Sequence, residues 1–194
     1  SNSLDGFITT QHMTHFSKNS LNNLLAKCGW KILRSKTIKN YNGYRVTCEK
    51  SSEINKKINV NVNRERQLYK KYKKKHLLSL RSINKRISKF KVGPKTILCG
   101  GGQHLELFYL LTKFFKLSSH STFVIIDSDI KKTGKSWRGI KILNFETLKN
   151  IRNLNKYKFI ISSYAYQNEI LRNLKNLKIH SSNILKIYKK IKRY

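Results

Sequence analysis

Thr96-Ile-Leu-Cys99, Gly100-Gly-Gly-Gln-His104 and Phe123-Val-Ile-Ile-Asp127, with an apolar stretch from Leu105 to Phe115 before the last of them, decide how this chain is read. The order predicts strand, glycine turn, helix, strand and a closing acid, which is the opening βαβ unit of a nucleotide-binding type of domain. Glycines at a strand end let the backbone turn tightly and approach a ligand, and the helix that follows aims unpaired N–H groups at it. Asp127, closing the second strand, has the chemistry to accept hydrogen bonds from a ribose. The run keeps the first two glycines of a G-x-G-x-x-G pattern and puts Leu105 where the third belongs. A reading in which Gly100, Gly101 and Gly102 only turn the chain therefore stays open beside the ligand reading.

Beyond Asp127 the pattern continues to alternate. A loop with Lys132-Thr-Gly134 and Trp137-Arg-Gly139 leads to a strand over 140–143 and a helix over 145–154. A strand over 158–161, a helix over 167–177 and a strand over 183–187 complete the chain. This alternation predicts an α/β, Rossmann-like domain over 94–194, with a mostly parallel sheet and flanking helices. Ligands in such sheets collect beyond the carboxyl ends of the strands, here near Gly100, Asp127 and Ser162 to Tyr164.

Residues 1–50 read as a small α/β piece. Phe7-Ile8-Thr9 ends a strand, and Ser17 caps a helix whose stripe is Leu21, Leu24, Leu25 and Cys28. Strands from Trp30 and from Tyr44 are joined through Asn40-Tyr-Asn-Gly43. Over 51–93 glycine is withheld until Gly93 and basic residues crowd in, with Glu65 the single acid between Arg64 and Lys95. Tyr69, Tyr72, His76, Leu80, Ile83, Ile87 and Phe90 fall at helical spacing, predicting a long basic helix with one apolar stripe. Packing against a neighbouring domain accounts for the stripe, and binding RNA or a membrane surface through Lys70 to Lys75 is the alternative.

The chain carries 42 Lys plus Arg against 9 Asp plus Glu, a formal net charge of +33 and a pI near 10.3. A field of that sign draws nucleic acid, nucleotide phosphates or acidic lipid. An A/T-rich coding sequence would explain the lysines but not the scarcity of acids. Cys28, Cys48 and Cys99 are scattered, so buried reduced thiols in a reducing, cytoplasmic compartment are expected. The spacing of Cys and His predicts no structural metal, and no apolar run is long enough for a membrane span.

Two separated stretches together carry a resemblance. Gln11-His-Met-Thr-His-Phe-Ser17, then Ser20-Leu-Asn-Asn-Leu-Leu25 and Gly29, resembles the E-H-x-x-Y-F-S signature late in the catalytic domain of S-adenosylmethionine-dependent sugar C-methyltransferases. Those enzymes act on nucleotide-linked deoxysugars. Asn42-Gly-Tyr-Arg45 is similar to a glycine turn of that family. The glycine turn, Asp127, Lys132-x-Gly134, Gly139 and a stretch with Ser162-x-Tyr164 and Glu169-Ile170 are similar to its Rossmann-like C-terminal domain.

The resemblance implies a proton-transfer or substrate-orienting role for His12, beside Gln11 where the family has an acid. Glutamine cannot act as a base, and a histidine that only fixes the loop before the helix is the competing role. It further implies substrate contacts at Arg45, Gly100, Gly101, Gly102, Asp127, Ser162 and Tyr164, with a nucleotide-sugar as ligand. The S-adenosylmethionine loop of the family lies upstream of the E-H motif, outside this sequence. The expected function is thus that of the C-terminal portion of such a methyltransferase-like protein. The alternatives are a non-enzymatic, RNA-associated scaffold keeping the fold, and direct binding of NAD or S-adenosylmethionine at Gly100 to Gly102 with Asp127.

Overall fold

The computed structural model describes residues 16–37, 43–52, 61–90, 95–116 and 123–188. By contact they divide into two units, 16–75 and 76–188. In the smaller unit, helix α1 (Lys18–Lys27) starts at Ser17, whose Oγ accepts the Ser20 N–H at 3.1 Å and so satisfies one of the orphan donors of the first turn. Strands β1 (Trp30–Thr37) and β2 (Tyr44–Lys50) pair antiparallel from Trp30 opposite Lys50 to Thr37 opposite Tyr44, with a bulge between Ile32 and Arg34. Helix followed by hairpin is the expected order. The strand at 7–9 and the turn at 40–42 lie outside the described residues. Among the described residues of this unit no apolar side chain is buried.

Helix α2 (Val62–Lys89) is the long basic helix. Its apolar stripe has two characters: Tyr69 is exposed, whereas Ile83 and Ile87 are buried in the core of the larger unit with Leu80 and Phe90 packed beside them. Arg86 fastens this end of the helix, donating to the carbonyls of Lys186 and Ile187.

The larger unit is built on β3 (Thr96–Cys99), α3 (Gln103–Leu111), β4 (Phe123–Asp127), β5 (Ser136–Trp137), β6 (Ile140–Asn144), β7 (Lys158–Ile161), α4 (Gln167–Asn176) and β8 (Ile184–Lys186). The six strands lie in the order β5-β6-β4-β3-β7-β8, parallel except for β5 against β6. The chain winds outward from β3 through β4 to β6, then returns to the other side of β3 to add β7 and β8. The sheet is thus the expected Rossmann-like, mostly parallel α/β sheet, and its topological switch point falls between β3 and β7.

Strand periodicity sorts the core into two layers. Leu98, Ile125 and Ile160 pack with α3 and the end of α2, around Leu105 and Phe108. Ile97, Cys99, Ile126, Phe159 and Ile161 face the other way, onto Leu148, Leu174 and Ile179. The β5–β6 hairpin turns through Arg138 (φ 48°) and Gly139 (φ 81°), and the Trp137 indole donates to Glu106 of α3 at 2.9 Å.

One element differs from expectation. In place of a helix over 145–154 there are two 3₁₀ turns, Phe145–Asn150 and Leu154–Lys156, separated by Asn153 at φ 56°. Phe145, Leu148, Ile151 and Leu154 all face the core at a spacing of three, which is the period of a 3₁₀ turn and not of an α-helix. No described helix is long and apolar enough to cross a membrane.

Phe108 is fully buried, its ring 5.0 Å from Phe114 and 5.8 Å from Phe115. Phe108→Ala is expected to lower stability by about 3–5 kcal/mol in urea unfolding. On the same helix Leu110 is 60% exposed, and Leu110→Ala should stay within about 0.5 kcal/mol.

Candidate functional site

A crevice of about 480 Å³ opens beyond the carboxyl ends of β3, β4 and β7, at the switch point. Gly100, Gly102, Gln103 and His104 form one side. Asp127, Ser128, Asp129 and Lys132 form the second, and Ser162, Ser163, Tyr166, Glu169 and Asn173 the third. The volume suits a small-molecule ligand.

The glycines are not equivalent. Gly100 has φ +107°, and a Cβ there would stand 3.2 Å from both Ser162 Oγ and Ser163 Cβ. Both the conformation and the crossing of β3 with the end of β7 require glycine. At Gly101 a Cβ would meet Ile142 at 3.1 Å and Ile125 at 3.4 Å, so this glycine lets the turn lie on the sheet. At Gly102 the nearest atom to a Cβ is Lys132 Nζ at 3.8 Å. Gly102 is also the N-cap of α3, with no side-chain cap. The first-turn N–H groups of α3 therefore meet the crevice without a capping side chain, as anion-binding helix ends do. α4 begins at Tyr166 on the same crevice, but its first turn carries Glu169, and Ser163 Oγ accepts the Tyr166 N–H at 3.3 Å.

Asp127 is already engaged. Its Oδ2 accepts the Gly101 N–H at 2.7 Å and Lys132 Nζ at 2.9 Å, and its Oδ1 accepts the Asp129 N–H at 2.9 Å. Burial pushes this carboxyl up, but the bonds from Asp129, Lys132 and Gly101, with the Lys132 charge, outweigh it and hold the group below its ordinary value. Asp127 thus holds the glycine turn to the end of β4, and the hydroxyl of Ser128 and the carboxylate of Asp129 stand beside it toward solvent.

Ser162 and Tyr164 are also used internally. The buried Ser162 hydroxyl lies 2.7 Å from the Gly100 carbonyl and 3.0 Å from that of Cys99, bracing the switch point. Tyr164 is not among the crevice walls. Its ring stacks on His104 at 5.7 Å and meets Tyr188 edge-on at 4.9 Å, while His104 Nδ1 lies 2.7 Å from the Tyr188 hydroxyl. Burial pushes the Cys99 thiol up at the crevice floor, which makes it a packing group and not a nucleophile.

Of the expected site residues, Gly100, Gly102, Asp127 and Ser162 border one crevice, with Gly101 beneath it. Arg45 lies on β2 of the smaller unit, opposite Lys36. His12 lies outside the described residues. Gln103, His104, Lys132, Tyr166, Glu169 and Asn173 also border the crevice and were not among the expected site residues, while Ser163 falls in the expected stretch from Ser162 to Tyr164. The available signal was positional, since the first turn of each helix after a strand end points to the switch point. In comparisons with known proteins, the chain matches no family model, no curated protein and no solved structure.

The sign of the Asp127 shift sets a pH dependence. A carboxyl held below its unfolded value contributes stability that is present above the unfolded pKa, about 3.9, and is lost as pH falls through the lower folded value. Asp127→Asn is therefore expected to cost about 1–3 kcal/mol near pH 7 in denaturant melts. The gap between variant and parent should narrow as pH falls below about 4.

Proposed function

We propose that the chain acts as the C-terminal portion of a SAM-dependent C-methyltransferase-like protein on a nucleotide-linked sugar, its Rossmann-like unit binding that substrate. The observation that carries the binding half is the crevice, where the amino end of α3, without a side-chain cap, meets a glycine turn at the switch point. Such an end takes phosphate, which a nucleoside diphosphate brings. Lys132, over the turn, adds one cation, shared with Asp127 and, at 3.9 Å, with Asp129. The methyltransferase half rests on the motif resemblance at 11–29 and 162–170.

S-adenosylmethionine itself fits this crevice poorly. It offers the α3 amino end a single carboxylate in place of a diphosphate, and the acid expected to hold its ribose is spent on Gly101, Asp129 and Lys132. The same engagement counts against NAD held through Asp127. The described residues therefore bind and orient the sugar substrate in this reading, and His12 is the candidate for moving a proton.

The test is titration calorimetry with nucleotide-sugars. Gly102 has a backbone that a β-branched residue tolerates and open space around a Cβ. Gly102→Val is expected to fold with an unchanged melting midpoint and to weaken binding about tenfold or more by covering the α3 amino end. Absence of heat with any nucleotide-sugar, in the folded parent, overturns the reading.

A second reading, an RNA-associated scaffold, is favoured by one observation. Arg64, Arg66 and the lysines of Lys70 to Lys75 are all exposed on α2, and none is in an ion pair among the described residues. Lysines four apart, Lys70 with Lys74 and Lys71 with Lys75, each disfavour the helix by about 0.2–0.5 kcal/mol until an anion neutralises them. Filter binding of single-stranded RNA is expected to fall with salt at a log–log slope of roughly −3.5 for about five phosphate contacts. A flat response eliminates this reading.

A further inference from the structure

We infer that the α4 wall of the crevice reads the hydroxyls of a sugar, with Glu169 and Asn173 as specificity-determining residues. This rests on the nucleotide-linked reading of the crevice and adds which part of the ligand lies where.

Glu169 and Asn173 stand four residues apart on α4, so they share a helix face about 6 Å apart. Both border the crevice, and neither side chain makes an ion pair or hydrogen bond among the described residues. A carboxylate only accepts, and can receive hydrogen bonds from two hydroxyls. An amide both donates and accepts. That mixture matches a hydroxyl-rich ring, whose every oxygen is donor and acceptor at once.

It does not match phosphate, which Glu169 would repel. The diphosphate therefore belongs at the opposite wall, where Gly102 leaves the α3 amino end open. Beyond β4, the exposed Ser128 hydroxyl borders the crevice on the side left for the nucleoside ribose, next to Asp129, whose Oδ1 accepts the Lys131 N–H at 3.0 Å. With the nucleoside on the β4 side and the diphosphate in the middle, the pendant group falls against α4. Tyr166, 65% exposed at the start of α4 and part of the crevice wall, offers an aromatic face on which a sugar ring can lie.

The experiment is titration calorimetry on the full chain with matched probes, UDP against UDP-glucose and GDP against GDP-mannose. In at least one pair the sugar-bearing member is expected to bind the parent about tenfold or more tighter. In Glu169→Ala/Asn173→Ala both members should bind equally. Glu169→Gln, of the same shape and with one acceptor oxygen kept, should lose only part of the gain, which separates recognition from loss of fold. Equal affinity of the parent for both members of every pair overturns this inference and leaves the nucleotide site standing. A gain that survives in the double variant removes Glu169 and Asn173 from the assignment. Failure of every probe to bind overturns both readings.

Discussion

Asp127 closes β4 and takes hydrogen bonds from the Gly101 N–H, the Asp129 N–H and the Lys132 ammonium, so the loops leaving two neighbouring strands are tied to a single charge. Everything that borders the crevice on that side follows from this. Gly101 is pressed onto Ile125 and Ile142, Gly102 is lifted to the start of α3, and Lys132 is drawn over the turn. On the far side Gly100, at a backbone angle closed to other residues, lets β3 pass within contact of Ser162 and Ser163. A carboxylate on one flank and a missing side chain on the other thus set the opening between β3 and β7.

The electrostatics of the crevice are inverted relative to the chain. The whole protein has 9 acids and a net charge of +33, yet Asp127, Asp129 and Glu169 all border the crevice, with Lys132 the one Lys or Arg in its wall. A general attraction for anions brings charged ligands to the surface but gives no orientation. Orientation has to come from fixed dipoles; in the proposed reading the α3 amino end supplies one, while Glu169 keeps phosphate from the α4 wall. Field and site act at different ranges, one on encounter and the other on pose.

Much of the fold was legible because parallel strands buried on both faces read as short apolar runs. Ile97 to Cys99, Ile125 and Ile126, and Phe159 to Ile161 each did so, between glycine or acid punctuation. Gly100 was legible as a required glycine for the same reason. Tyr164 and Ser162 were placed at the right strand end, but which way a residue faces after a strand depends on the chain it crosses. Ser162 turned to the carbonyls of Cys99 and Gly100, and Tyr164 to His104 and Tyr188. The engagement of Asp127 was hidden because its partners Gly101 and Lys132 lie on separate loops. Glu169 and Asn173 were hidden because surface acids and amides on a helix look alike until one face borders a cavity.

The crossover from β6 to β7 carries a consequence of its own. It leaves the sheet after Asn144 and must pass over β4 and β3 before re-entering at Lys158, a lateral span of about 14 Å at the usual strand spacing. A 3₁₀ turn advances about 2.0 Å per residue against about 1.5 Å for an α-helix. Winding the connection more tightly therefore stretches it, and it reaches across two strands while still planting Leu148 and Leu154 on them. An inserted residue there would alter the bridge's length and its angular phase together, so this connection absorbs changes in chain length poorly.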